Sequence, residues 1–200
     1  MVPYTTIQLV AATNNQHKIK EMVAILGPSF LLTGLADIGC TEELPETQST
    51  LEGNALQKAQ YVFDHYNVSC FADDSGLEVE ALNGEPGVDS AHYAGVQRNA
   101  EDNMNLLLKK LNGIPNRKAQ FRTIIALVEP TGFKLFEGRI QGEILLEKRG
   151  AGGFGYDPIF QPEGYTLSFG EMSSEEKNKI SHRARAVRKL VEYLQQSYSR

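Results

Sequence analysis

Residues 124–128, Ile-Ile-Ala-Leu-Val, are apolar at every position. Successive side chains of a strand point to opposite faces, so this strand must be covered on both. The chain is therefore read as a layered α/β structure in which this segment is a central strand. Other runs supply neighbours. "IQLVAAT" at residues 7–13 suits a buried strand, and "FLLTGLADI" reads as a second. "VSCFADDSG" reads as a strand running into a turn. "LEVEAL" alternates, with Leu77, Val79 and Ala81 on one face against Glu78 and Glu80, as a half-exposed strand does. "FKLFEGRIQGEIL" reads as one or two more strands after a turn at Pro130, Thr131 and Gly132.

Helices fall between these runs. Ile19, Met22, Val23 and Leu26 make an apolar stripe that Gly27 and Pro28 stop. Ser49 and Glu52 read as a capping box before Leu51, Ala55, Ala59, Val62 and Tyr66. A third helix starts at Asn99, with Met104, Leu107, Leu108 and Leu111 inside. A C-terminal helix turns Ala184, Val187, Leu190, Val191 and Leu194 to one face. Short turns between adjacent strand runs indicate a mixed sheet with helices on it, not a repeated βαβ array. With 200 residues and no linker or repeat, the expectation is a single domain spanning 1–200.

The formal charge of −5 speaks against a general nucleic-acid-binding surface. That charge is uneven: residues 175–200 carry seven Lys and Arg against three Glu. An acidic body with a basic tail fits either a metal–phosphate site or a solvated cationic helix. Cys40 and Cys70 form no metal-binding or disulfide pattern. No apolar stretch approaches the roughly 18 residues of a membrane span, and no signal pattern opens the chain, so a cytoplasmic location without membrane partners is expected.

"KRGAGGFGYDP" (148–158) contains a G-x-G-x-x-G in Gly150, Gly152 and Gly155. A dinucleotide fingerprint follows a first strand and opens a helix. Here Pro158 and Pro162 follow and no helical stripe does, so a Rossmann cofactor site is rejected. The glycines fit a close-approach loop in which Phe154 and Tyr156 offer a stacking face, or a tight loop whose aromatics plug the core.

Three other stretches break local rules. Asp73 and Asp74 are adjacent at the end of an apolar run, where they repel unless a cation or hydrogen bonds relieve them. They fit a Mg²⁺ site or an Asx turn capped by Asp74 and Ser75. After Ser181, read as an N-cap, His182, Arg183 and Arg185 put cations at the positive end of a helix dipole. A bound anion or carbonyl would offset that, or the surface simply tolerates it. "TNNQHK" leads from a strand into a helix N-terminus, with Lys18 as a point charge for a phosphate, although ordinary helix starts look the same. Glu42, Glu43 and Glu46 form an acidic cluster that could equally be a solvated loop. Lys58 sits at the edge of an apolar helix face.

Taken in order, "TNNQHK", "ELPETQSTLEGNALQKA", "FADDSGLEV", "GEPGVDSAHYAG", "GGFGYDPIF" and "MSSEEKNKISHRARA" resemble the inosine triphosphatase family, the non-canonical purine nucleoside triphosphate pyrophosphatases. The resemblance implies an elongated α/β fold with a strongly twisted mixed sheet and two lobes, the substrate in a cleft between them, and a homodimer. It implies Mg²⁺-dependent cleavage of ITP, dITP, XTP and dXTP to the monophosphate and pyrophosphate, which clears deaminated purines from the nucleotide pool. By the same resemblance Thr13, Asn14, Asn15, Lys18 and Lys58 lie at the triphosphate and Ser75 contacts the substrate. Glu46 and Asp74 hold the metal, and Asp74, with Asp73 beside it, accepts a proton. Phe154, Gly155, Tyr156 and Asp157 form the nucleoside pocket, and Lys177, His182 and Arg183 close on the base. Asn14 stands where the family commonly has Gly, and Asn tolerates left-handed backbone. A related pyrophosphatase of pyrimidine or modified nucleotides, or a nucleotide-binding module without turnover, are the alternatives.

Overall fold

The computed structural model describes residues 7–26 and 30–198. Six strands form one sheet: β1 (Ile7–Ala11), β2 (Phe30–Thr33), β3 (Cys70–Val79), β4 (Lys118–Glu129), β5 (Gly132–Ile144) and β6 (Phe160–Pro162), in the order β2-β1-β3-β4-β5-β6. β1 pairs parallel with β2 and with β3, whereas β5 and β6 are antiparallel, so the sheet is mixed. Among the described residues five α-helices accompany it: α1 (Gln16–Leu26), α2 (Leu51–Tyr66), α3 (Ala100–Lys110), α4 (Ser174–Ile180) and α5 (His182–Tyr198). The α/β class and the buried β4 match the expectation, as do the start of α3 at its Asn99 cap and the apolar face of α5. Gly27 and Pro28, read as the stop of α1, lie outside the described residues.

Several sequence readings need correction. β3 runs unbroken through Asp73, Asp74 and Ser75 into Val79, so there is no turn at "ADDSG" and no separate "LEVEAL" strand. Residues 80–82 leave the sheet as a short 3-10 turn. β2 stops at Thr33, and Ala36–Ile38 form another 3-10 turn. α2 is capped by Thr50, whose side chain accepts from the Gly53 amide, not by Ser49. α4 adds a helix to those expected, with Ser173 and Glu176 making a full capping box at its start.

The chain divides into two compact units. The first holds Met1–Asp74, Thr123–Gly138 and Arg183–Arg200; the second holds Ser75–Arg122 and Arg139–His182. In the first unit, Leu9, Ala11, Phe71, Ile125 and Leu127 project from one face of the sheet onto Met22 and Leu26 of α1 and onto Val187, Leu190 and Leu194 of α5. The other face meets α2, where the Cys70 thiol donates to the Ala59 carbonyl. The connection from β1 to β2 carries α1 and the one from β2 back past β1 to β3 carries α2, on opposite faces of the sheet. The second unit packs Leu77 and Val79 of β3, Met104, Leu107 and Leu111 of α3, and Phe121, Phe160 and Phe169 into its own core.

Candidate functional site

The chain leaves β1 toward β2 on one side and returns to β3 on the other. The carboxyl end of β1 is thus a topological switch point, the place where open parallel sheets bind ligands. Thr13, Asn14 and Asn15 lie there, tied in by the Ala12 amide donating to the Phe71 carbonyl at 2.7 Å. The Asn15 side chain caps α1, accepting from the His17 and Lys18 amides at 3.0 and 3.2 Å. Among the described residues the non-glycine positions of positive φ are Asn67, Asn83 and Arg98. Asn14 therefore needs no left-handed backbone, and this loop has no conformational requirement for glycine.

β3 outruns β1 at this end and carries Asp73 and Asp74 past it. Strand alternation then separates the two carboxylates. Asp73 has the parity of Phe71 and points to the α1 and α5 face, where Lys18 Nζ is 3.0 Å and Arg183 Nε 3.6 Å from Oδ2. Asp74 has the parity of Cys70 and points to the α2 face, where Lys58 Nζ is 3.8 Å away. Lys58 also donates to Glu46 at 2.5 Å and to the Asp73 main-chain carbonyl at 2.8 Å. Arg183, only 1% exposed, pairs with Glu21 as well. Sequence reasoning missed Glu21, though its spacing of three from Lys18 puts both on one face of α1.

Burial raises both aspartates, with different outcomes. For Asp73, Lys18, Arg183 and Lys58 outweigh it and hold the carboxyl at about 2. For Asp74, burial together with the nearby Glu46 and Asp73 prevails over Lys58 and Lys18, so its carboxyl is raised. Lys58 is raised, because Asp74, Glu46 and Asp73 outweigh its burial. Lys18 is lowered by burial and by the nearby Lys58 and Arg183, despite Asp73.

The acidic loop is fixed to α2 by its own contacts. Thr47 exchanges two hydrogen bonds with Gln57, the Gln48 amide donates to Asn54, and Glu42 accepts from Tyr66. Glu46 is thereby held at Lys58. Among the described residues no three His, Cys, Asp or Glu side chains cluster to hold a metal ion. Glu46 and Asp74 nevertheless converge on one cationic centre, and two hard carboxylates are the donor set that Mg²⁺ takes before waters and phosphates complete its shell.

In the second unit, residues 150–155 open no helix; a 3-10 turn at Asp157–Ile159 and β6 follow. The glycines have separate tasks. A Cβ at Gly150, where φ is +79°, would fall 2.2 Å from the Gly170 backbone. One at Gly153 would fall 2.0 Å from Asp157 Oδ2. That carboxylate accepts from the Phe154 amide at 2.8 Å and from Lys177 Nζ at 2.7 Å. Lys177 Nζ also lies 4.8 Å from the centre of the Phe154 ring. Beside Gly155 nothing would obstruct a Cβ. Tyr156 corrects the stacking expectation. Its ring is buried in the core and its hydroxyl donates to the Ser90 carbonyl at 2.9 Å, because a buried phenol needs a partner. Phe154 keeps a half-buried ring.

The structure gathers Asp157, Lys177 and Phe154, and stacks His182 on Phe121 at 4.6 Å and near Phe169. Arg183 pairs with Asp73 and Glu21 in the first unit, and consecutive residues on a helix project about 100° apart. Ser75 follows Asp74 on β3 and is half-buried.

Comparison with known proteins agrees with this architecture. A dITP/XTP pyrophosphatase of Porphyromonas gingivalis is 55% identical over 188 residues, covering 94% of this chain and 97% of that protein. One from Flavobacterium psychrophilum is 54% identical over 187 residues, covering 94% and 98%. The solved Ham1 protein of Staphylococcus aureus aligns with a TM-score of 0.88 at 40% identity, covering 95% of this chain and 99% of that one. A nucleoside-triphosphatase/dITP/XTP pyrophosphatase from Mycobacterium abscessus gives 0.76 at 42%, covering 92% and 98%. The Ham1 family itself matches residues 9–193, a span that runs from β1 into α5 and contains both side-chain clusters; the chain belongs to the Ham1 family.

Proposed function

We propose that this protein hydrolyses deaminated purine nucleoside triphosphates, dITP, ITP, XTP and dXTP, to the monophosphate and pyrophosphate. The observation that carries the reading is the meeting of Lys18, Lys58, Asp73 and Asp74 at the switch point. Relatives of similar length named dITP/XTP pyrophosphatases support the substrate class. Thr13, Asn14 and Asn15, with Lys18 and Lys58, take the triphosphate. Water attacks the α-phosphorus, its oxygen bonds to phosphorus, and the bond to the β-phosphate bridging oxygen breaks. Asp74 receives the proton of that water. Asp73 orients Lys18 and Arg183, and the lysines balance charge growing on the departing pyrophosphate; such positioning and charge stabilisation dominate phosphoryl transfer. Glu46 and Asp74 hold Mg²⁺, which when bound supplies charge neutralisation at the phosphates.

The base goes to Phe154, Gly155, Asp157, Lys177 and His182, with Tyr156 supporting the loop from the core and Ser75 touching the substrate. A 6-oxo group accepts from donors there, whereas the 6-amino group of adenine leaves them unpaired, a strong basis for rejection. The protein acts in the cytoplasm as a single-domain chain and a homodimer, with no nucleic-acid or membrane partner. No described helix is long and apolar enough to cross a membrane. The test is a panel of dITP, XTP, dATP, dGTP and dUTP, each with Mg²⁺ or with EDTA, scored for pyrophosphate and orthophosphate. Pyrophosphate from dITP and XTP alone, abolished by EDTA, is expected. Orthophosphate, or a preference for dUTP, overturns the reading.

A further inference from the structure

The metal ligands and a phosphate-binding lysine of the proposed reading are in contact with one another. Lys58 Nζ lies 2.5 Å from Glu46 Oε1, 2.8 Å from the Asp73 main-chain oxygen and 3.8 Å from Asp74 Oδ1. An ammonium has three donors, and here three hard oxygens face it. Its side chain is 7% exposed, and that of Asp74 12%. A Mg²⁺ ion takes carboxylate oxygens at roughly 2.0–2.1 Å. With the ammonium still on the same Glu46 oxygen, two cations would stand within about 5 Å in a site open to solvent at Glu46, 36% exposed, and buried on its Lys58 and Asp74 side, where like charges repel.

We propose that Lys58 is the resident counter-cation of the metal site. It holds Glu46 and Asp74 together whenever no divalent ion is bound, a divalent ion must displace it, and the displaced ammonium then serves the phosphates. The inference rests on the reading of Glu46 and Asp74 as metal ligands. It makes Lys58 a coupling element: polyphosphate draws the ammonium off the carboxylates, and by linkage metal and polyphosphate strengthen each other's binding. The flexible four-carbon stem of lysine permits that exchange.

The experiment titrates Mn²⁺ alone into wild type and Lys58→Met, reading free Mn²⁺ by electron paramagnetic resonance. The expected result is Mn²⁺ binding at least tenfold tighter in Lys58→Met. Adding inorganic tripolyphosphate should tighten Mn²⁺ binding in the wild type by more than in the variant. Equal or weaker Mn²⁺ binding by folded Lys58→Met overturns the proposal. Glu46→Gln in both backgrounds separates this from the underlying reading. If Glu46→Gln weakens Mn²⁺ binding in wild type while Lys58→Met fails to tighten it, the counter-cation idea falls and the ligands stand. If Glu46→Gln changes neither background, the ligand assignment falls too. Should Lys58→Met not fold, Lys58→Gln keeps a hydrogen-bond donor without the charge and is expected to shift Mn²⁺ affinity the same way.

Discussion

Asp73 and Asp74 share a peptide bond and little else. Asp73 is enclosed by cations on the α1 and α5 face and stays ionised, with a carboxyl at about 2. Asp74 faces Lys58 at the longer distance of 3.8 Å, and burial raises it. When two neighbouring carboxyls are driven apart in this way, the raised one is the better proton acceptor and the depressed one serves as a fixed charge. Asp74→Asn keeps the shape of the side chain and removes the base. General-base losses are typically 10²–10⁴-fold, so pyrophosphate release from dITP should fall by about that much. Binding of a non-hydrolysable dITP analogue in EDTA, where the metal-ligand role of Asp74 does not enter, should survive within a few fold by calorimetry. A variant that retains a tenth of wild-type turnover would remove Asp74 from the proton-accepting role.

The glycine loop illustrates how an element is set by contacts beyond its own sequence. Its pattern allowed either a ligand-facing loop or a core plug, and both occur in different residues. Gly150 packs on the Gly170 backbone and Tyr156 plugs the core, while Gly155 stays unobstructed and Phe154 half-buried. Gly153 is the sensitive position. At φ +70° a side chain is strained, and its Cβ would strike the carboxylate that binds Lys177. Gly153→Ala should raise KM for dITP at least tenfold through displacement of Asp157, with kcat changed far less. An unchanged KM would detach the Asp157–Lys177 pair from base binding. The same logic separates what was legible in the sequence from what was not. β4, α3 and α5 are legible because periodicity and an Asn cap are local. The continuation of β3 through "ADDSG" is not legible locally, because adjacent carboxylates look like a strand end until Lys18 and Lys58, distant in sequence, compensate them. The α4 capping box of Ser173 and Glu176 is a local signal of the same kind. Arg183 adjoins His182 in sequence, and its pairing with Asp73 and Glu21 rests on residues distant in the chain.

For the whole molecule, the motifs suggested which residues mattered, but the strand order β2-β1-β3-β4-β5-β6 is what turns them into a charged network. Around the switch point four carboxylates, Glu21, Glu46, Asp73 and Asp74, meet three cations, Lys18, Lys58 and Arg183. One negative charge is in excess, so a divalent ion makes the cluster positive enough for a polyphosphate. The network also ties folding to pH. An unfolded Asp titrates near 3.8, and Asp73 in the fold at about 2. Between those values the unfolded chain binds the extra proton, so the stabilisation is complete above about pH 4 and is lost as pH falls through about 2. A shift of this size corresponds to roughly 2 kcal/mol. Asp73→Asn removes the titration itself, so the comparison is between slopes and not between absolute stabilities. Urea unfolding of wild type at pH 4.5, 3.5 and 2.5 should lose stability faster than Asp73→Asn over the same range, by about 1.5 kcal/mol in total. Hydrogen exchange at Ile125 and Leu127, in the core that packs on Phe71, should weaken in step. Parallel slopes for the two proteins would mean that Asp73 is not the buried, cation-paired carboxylate around which this site is organised.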